Sequence, residues 1–323
     1  ILKDVVAVSK FFIVYLYGTT LKTSKYSEKL GEHIATFSRA YIPVLLVFGI
    51  INQFFNIGMD SGYRGFIKTF AFLYSHTTFM VASVVVLCSI LVAQGIRKNR
   101  IILLMAVIVL ILSMRSKAFV YIASVFILLF LFRNQRTRRK VTDRKYILTR
   151  KIRNLVIIAS LCILVIAYFI VKNKVTEYLN WGLTAARPAL YIVGFQIFSD
   201  YFPLGAGFGT FASSISGEYY SPLYFKYGIA NVSGLQQAQR YPYISDTYWP
   251  YIIGQFGFLG SLAYFMALFK VFQNLFNMYH TNVNQLIAAF SLFAYLISGS
   301  FVESMFTNST IILAALTLAY YIR

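Results

Sequence analysis

Long apolar runs alternate with short basic clusters along most of the chain. A helix needs about 20 apolar residues to cross the hydrocarbon of a bilayer. The runs predict about nine such helices: 1–18, 40–57, 67–93, two arms either side of Arg115, 154–171, 250–269, 284–300 and 309–322. The first carries Lys3, Asp4 and Lys10 and is the least lipid-like. Segment 19–39, with Lys22, Lys25, Lys29 and Arg39, reads as cytoplasmic, because basic loops stay on that side. The stretch Gly58-Met-Asp-Ser-Gly-Tyr-Arg-Gly-Phe66 then reads as a short outer loop, and Arg97, Lys98 and Arg100 bring the chain back inside.

The piece that follows is an apolar arm, Arg115-Ser116-Lys117, and a second apolar arm. Basic clusters bracket it, Arg97 to Arg100 before and Arg133 to Arg153 after, so both ends belong to the cytoplasmic side. Each arm is only about 14–15 residues, roughly 21–23 Å of helix against roughly 30 Å of hydrocarbon. The tip is therefore expected at membrane depth. Arg115 and Lys117 would be intramembrane charges, which are costly outside a cavity or away from an anion.

Residues 172–250 break the pattern and read as a large extracytoplasmic loop with short helices, set in a single membrane domain of residues 1–323. Five of the six prolines (Pro188, Pro203, Pro222, Pro242, Pro250) and both tryptophans (Trp181, Trp249) fall there. Proline ends helices, and tryptophan near the two ends reads as an interface anchor. Arg187-Pro188 predicts the start of a surface helix, with Ile192, Phe195 and Ile197-Phe198 toward the membrane and Arg187, Tyr191 and Gly194 on another face. Pro203-Leu-Gly205-Ala-Gly207-Phe-Gly209 predicts a tight turn with close backbone approach. It lacks the preceding strand and the Lys-Ser/Thr ending of a nucleotide loop. Tyr219, Tyr220, Tyr224, Tyr227, Tyr241, Tyr243 and Tyr248 crowd the loop, as sugar platforms or as interface residues.

Composition agrees with a membrane chain. Hydrophobic residues make up 59% and charged residues 12%, about half the charged share of soluble domains. The net charge of +20 lies between apolar runs, which excludes the nucleic-acid reading such a charge carries on a soluble protein. Cys88 and Cys162 lie in apolar runs with no metal-ligand spacing, so neither a metal nor a cofactor is expected. The chain opens on Ile1 without a cleavable signal pattern and is expected to begin partway through a longer protein.

On the expected outer face the topology collects Arg64, Lys68, Arg115, Lys117, Arg187, Arg240, Asp246 and Glu303, with His76 slightly deeper. Such a cationic set suits a diphosphate, since guanidinium forks bind phosphate oxygens in pairs. The alternative is loop charges snorkelling to lipid phosphates, the preferred reading for Lys172 and Lys174.

Four local patterns in this order resemble bacterial O-antigen polymerases and O-antigen ligases. They are Arg64-Gly65-Phe66…Phe70…Tyr74-Ser75-His76; Leu112-Ser113-Met114-Arg115-Ser116-Lys117-Ala118; Arg187…Pro203 to Phe211; and Ser245-Asp246-Thr247-Tyr248-Trp249…Gln255-Phe256-Gly257-Phe258-Leu259-Gly260. Glu303 in Phe301-Val-Glu-Ser304 also looks like a family position. The likeness covers roughly residues 60–310. In the ligases the position of Asp246 is a histidine, and the aspartate here favours a polymerase of the capsule or exopolysaccharide type.

The resemblance implies an all-α polytopic membrane protein of GT-C-like architecture in the bacterial inner membrane, with its active site facing outside. It implies a metal-independent inverting glycosyltransferase, with no cofactor, that polymerises undecaprenyl-diphosphate-linked oligosaccharide repeat units. Donor and acceptor are both lipid-linked glycans, the bilayer is a partner, and a chain-length regulator is a candidate further one. The implied catalytic residues are Asp246 as base with Arg187 and Arg115 on the diphosphate, and Arg64, Lys68, His76, Lys117, Arg240 and Glu303 bind substrate. The alternatives are an O-antigen ligase and, from another class, a lipid-linked oligosaccharide flippase. A flippase would favour repeated halves and helices broken at the midplane, and the sequence shows neither. A cell-wall glycosyltransferase of the shape-and-division family shares the general architecture without these patterns.

Overall fold

The computed structural model describes residues 1–21, 25–132, 176–177 and 180–322. The elements in order are α1 (Leu2–Thr20), α2 (Lys25–Phe54), β1 (Asp60–Arg64), β2 (Ile67–Phe70), α3 (Thr77–Gly95), α4 (Arg100–Leu112) and α5 (Ser116–Leu131). There follow α6 (Ala186–Asp200), α7 (Ser214–Glu218), α8 (Pro222–Lys226), α9 (Trp249–Tyr279), α10 (Val283–Gly299) and α11 (Thr310–Leu316), which ends in a π-turn over Thr317–Tyr321. The protein is mostly helical.

Among the described residues, three helices are long and apolar enough to cross a membrane: Lys29–Phe54, Thr77–Gly95 and Trp249–Tyr279. The apolar helices α4, α5 and α10 and the stretch Thr310–Tyr321 are shorter. The expected span at 154–171, the basic segment 133–153 and Cys162 lie outside the described residues.

Three boundaries differ from the sequence expectation. The segment expected as a cytoplasmic loop over 19–39 is helical from Lys25 onward, where α2 runs through both Gly31 and Pro43. The expected span 67–93 starts only at Thr77. Ile67–Phe70 is the second strand of a hairpin whose two-residue loop places Gly65 at φ +63, the geometry such turns favour. The span expected over 250–269 continues to Tyr279.

The chain divides into two compact units. The helical unit comprises Val14–Ala167, Asn274–Tyr295 and Ile312–Arg323. Its centre is α3, buried almost all round from Thr77 to Val92, which is what a helix apolar on every face requires. α2 and α4 pack against it, and α4 and α5 form a helical hairpin closed by Ser113-Met114-Arg115.

The loop unit comprises Ile1–Ile13, Tyr168–Gln273 and Leu296–Ile311. Its core gathers Leu190, Val193, Ile197, Phe211, Tyr224, Tyr248 and Phe306. α6 carries Arg187-Pro188 in its first turn and keeps an exposed face, but Ile197 is buried and not toward the membrane. Its Val193–Gly194–Ile197 side is buried, Gly194 lets Pro250 approach, and Phe195 is exposed.

The glycine-rich turn does what its composition predicts. α9 is kinked at Gly257 (φ 57, ψ −154), which breaks the helical ladder and turns loose the carbonyls one turn earlier. The turn takes them up: Ala206 N–H donates to Gly254 O (3.0 Å) and Gly207 N–H to Gln255 O (2.9 Å), while Leu259 N–H reaches Pro203 O (3.1 Å). Gly209 N–H is shared by the Asp4 carboxylate (2.7 Å) and Gln255 Oε1 (2.9 Å).

Candidate functional site

The loop unit builds its polar cluster on two helix ends and a turn. Arg187 and Tyr191 lie one helical turn apart on α6, hence on one face. Arg187 Nε and Nη2 both converge on Asp246 Oδ2, at 2.9 and 2.6 Å. The pair is partly exposed, and such charge-assisted bonds are worth about 1.5–3 kcal/mol. Tyr191 Oη donates to Phe301 O at 2.9 Å. Ser304 Oγ donates to the carbonyls of Ser245 and Thr247, which flank Asp246 on either side. The carboxylate is thus held by its arginine and, through the backbone, by a serine 58 residues further along.

Two orphaned polar atoms flank that loop. Thr247 Oγ1 and Trp249 Nε1 are buried without a hydrogen-bond partner among the described residues. Glu303 is half-buried in the turn beside Ser304, its N–H on Gly299 O (2.9 Å). Arg240 is exposed in a left-handed turn (φ 56), and the structure does not bring its side chain to the Arg187–Asp246 pair by any hydrogen bond or ion pair.

The tyrosines and Trp249 correct the interface reading. Tyr224 and Tyr248 are core residues. Tyr224 Oη accepts from Ala212 N–H (2.9 Å) and pairs with Ser216 Oγ (2.7 Å). Burial pushes the Tyr224 phenol up from its ordinary value, and these two hydrogen bonds offset part of the shift. Trp249 is buried against Phe265 and Phe301, whereas Trp181, Tyr219 and Tyr243 stay exposed.

The helical unit assembles a second cluster at the tip of the α4–α5 hairpin. Met114 turns the chain with φ 50, and Arg115 becomes the residue that opens α5. Arg64, at the end of β1, donates to Met114 O (3.0 Å). Arg115 Nη2 lies 2.9 Å from His76 Nε2, and His76 Nδ1 faces Thr78 N–H at 3.3 Å as the cap of α3. Both contacts ask the ring to accept, yet a neutral imidazole has one lone-pair nitrogen. The shorter arginine contact and the longer cap therefore compete for it, and a protonated ring could serve neither.

Lys117, in the first turn of α5, is 3% exposed, with Nζ 5.7 Å from the centroid of the Tyr295 ring. Positive side chains at a helix N-terminus oppose its dipole, so Arg115, Lys117 and the N–H groups of α5 make one electropositive tip. Lys68 does not join it. The hairpin register pairs Arg64 with Ile67 and Tyr63 with Lys68, which puts the two cations on opposite faces. Lys68 Nζ instead lies 3.4 Å from Phe55 O, and its backbone is clamped by Gln53.

The sequence patterns contain Tyr191, Ser304 and Gln255 but assign none of them a role in the site. Serine, tyrosine and glutamine carry no local signal of a long-range hydrogen bond. Among the described residues no group of three His, Cys, Asp or Glu side chains could hold a metal ion. No protein-family model, curated protein or solved structure matches the chain.

Proposed function

We propose that the protein is a membrane glycosyltransferase that polymerises lipid-diphosphate-linked oligosaccharides, as its resemblance to O-antigen polymerases implies. The observation that carries the reading is the Arg187–Asp246 pair, a carboxylate and a guanidinium fixed together by elements far apart in sequence. On this reading Asp246 takes the proton of an acceptor hydroxyl as its oxygen attacks the anomeric carbon of the donor. The bond from that carbon to the diphosphate oxygen breaks in the same displacement, which inverts the anomeric configuration. Charge that develops on the diphosphate is assigned to Arg187, and the α5 tip with Arg115 is a separate candidate anion site. The electropositive α5 tip supports the anion assignment, with Arg64 and His76 as its bracing groups.

The orphaned hydroxyl of Thr247 beside Asp246 also supports a working polar site, because buried unpaired polar atoms concentrate where function demands them. Nine spans, a GT-C-like arrangement, residence in a bacterial inner membrane and an outward-facing site belong to the same proposal. Polymerase is preferred over ligase because position 246 is an aspartate.

The test is elongation of undecaprenyl-diphosphate-linked repeat units in membranes carrying Arg187→Ala, Asp246→Asn or Arg115→Leu at matched expression. Loss of roughly 10²-fold or more in each is expected, the size of a removed base or oxyanion partner. Unchanged polymer length and amount in the Asp246→Asn membranes overturn the assignment, and movement of lipid-linked glycan across the membrane without elongation points to the flippase.

A further inference from the structure

The end of the helical unit remote from the α5 tip along α4 carries a different constellation. α3, α4 and α5 line a groove of about 220 Å³. Each helix contributes one stripe at helical spacing: Cys88 and Val92 from α3 with Ile96 just past its end, Leu103 and Val107 from α4, and Ile122, Val125 and Leu129 from α5. The wall offers almost nothing polar. Tyr121 turns its hydroxyl to Ser89 Oγ (3.1 Å), away from any ligand role. Leu104 and Phe126, which also line the space, are more than half exposed, so it opens sideways rather than into the core.

One charge lines this groove, Arg100, the first residue of α4. Arg97 and Lys98 stand beside it in sequence, and all three are exposed. The turn that presents them is rigidly built. Asn99 is buried, donates to Leu91 O (2.9 Å) and Gly95 O (3.2 Å), and accepts from Arg39 Nε (3.0 Å). Arg39 also holds Gln94 (2.9 Å). Because the Asn99 side chain is spent on these bonds, it does not cap α4, whose first N–H groups have no side-chain cap. A cation as the first residue of a helix opposes the dipole, an arrangement that an anion at that end would relieve.

An apolar slot lined at one end by Arg100, with exposed Arg97 and Lys98 next to it in sequence and an uncapped helix N-terminus, fits an amphiphile with a negative head. We propose that this groove binds one anionic phospholipid, an acyl chain between α4 and α5 and the phosphate at Arg97, Lys98 and Arg100. Basic pockets between membrane helices are known to hold anionic head groups on the side of the basic loops. The site rests on the membrane placement of α3 and not on the glycosyltransferase reading, so failure of glycan elongation has no bearing on it.

Native mass spectrometry of the full chain in mild detergent doped with phosphatidylglycerol or phosphatidylcholine tests it. The expected result is one saturable phosphatidylglycerol per chain and little phosphatidylcholine. The bound fraction should fall about tenfold or more in Arg97→Gln/Lys98→Gln/Arg100→Gln, given the strength of each basic contact to an anionic head group. Val107→Trp, which fills the slot while leaving the cations, should also lose the lipid, and Arg115→Gln should keep it. Equal binding of both lipids, or an undiminished signal in the triple variant, overturns the proposal. So does a lipid-free wild type, the result expected if the chain's own apolar segment 154–171 fills the groove.

Discussion

Gly205 and Gly257 meet backbone to backbone. A Cβ on Gly205 would lie 2.5 Å from the carbonyl oxygen of Gln255, and one on Gly257 would lie 2.7 Å from that of Pro203. Both residues also hold positive φ, at 78° and 57°. The kink in α9 and the glycine-rich turn are therefore one device: the kink exposes carbonyls and the turn closes over them.

Gly205→Ala should destabilise the protein by about 2–4 kcal/mol, from left-handed strain of roughly 1–2 kcal/mol plus overpacking against backbone that cannot move aside. Gly207 is the control. Its φ is 92° but nothing lies within 4 Å of its missing Cβ, so Gly207→Ala should cost only about 1–2 kcal/mol. Thermal unfolding in detergent, followed by loss of the monodisperse peak, ranks the two. Equal shifts would show that strain alone, not the close approach, sets the cost.

The Arg187–Asp246 pair should show direct coupling. Arg187→Ala and Asp246→Asn should each cost about 1–3 kcal/mol, and the double variant should cost less than their sum by about 1–2 kcal/mol. A thermodynamic cycle on unfolding midpoints measures this, and additive costs would mean that the two side chains do not act as a pair.

Ser304 should matter to activity more than to stability. Ser304→Ala removes the donor shared by Ser245 O and Thr247 O, at a stability cost of about 0.5–1.5 kcal/mol. The released loop should lower turnover of glycan elongation while leaving half-saturation by the lipid-linked substrate nearly unchanged, and Ser304→Thr, which keeps a hydroxyl, should restore part of it. An effect on half-saturation alone would place Ser304 outside the positioning of Asp246.

The loop unit should loosen in alkali. Burial raises the Tyr224 phenol above its ordinary value near 10, so the folded state keeps a proton that the unfolded chain loses. Stability from this group is complete below about pH 10 and declines as pH rises beyond it. Tyr224→Phe should be less stable at neutral pH by about 1–2 kcal/mol, since Ala212 N–H loses its acceptor, yet show a shallower decline above about pH 10. Parallel pH profiles for the two proteins would remove Tyr224 as the cause.

Much of the helix inventory was legible from local composition. Apolar runs such as Thr77–Gly95 and the paired arms around Arg115 become helices because burying their side chains and satisfying their backbone both demand it. The close approach at Pro203–Gly209 was equally readable, since only glycine tolerates it. Boundaries were less so. Whether Lys25 to Arg39 is loop or helix depends on how far α2 runs past its apolar stretch, and the hairpin at Asp60–Phe70 borrowed apolar residues that read as span.

The candidate site divides along the same line. The residue types were legible: a basic tip at Arg115 and Lys117, an aspartate at 246, and Arg187 at a helix start. Which of them meet was decided by the tertiary structure. Hairpin register sends Lys68 to the face opposite Arg64, and a left-handed turn leaves Arg240 exposed. Packing of α6 against α9 through Gly194 and Pro250 belongs to the fold that brings Arg187 to a carboxylate 59 residues away. Hydrophobic pattern is a property of neighbours in the chain, whereas a salt bridge is a property of neighbours in space, and only the folded backbone converts one into the other.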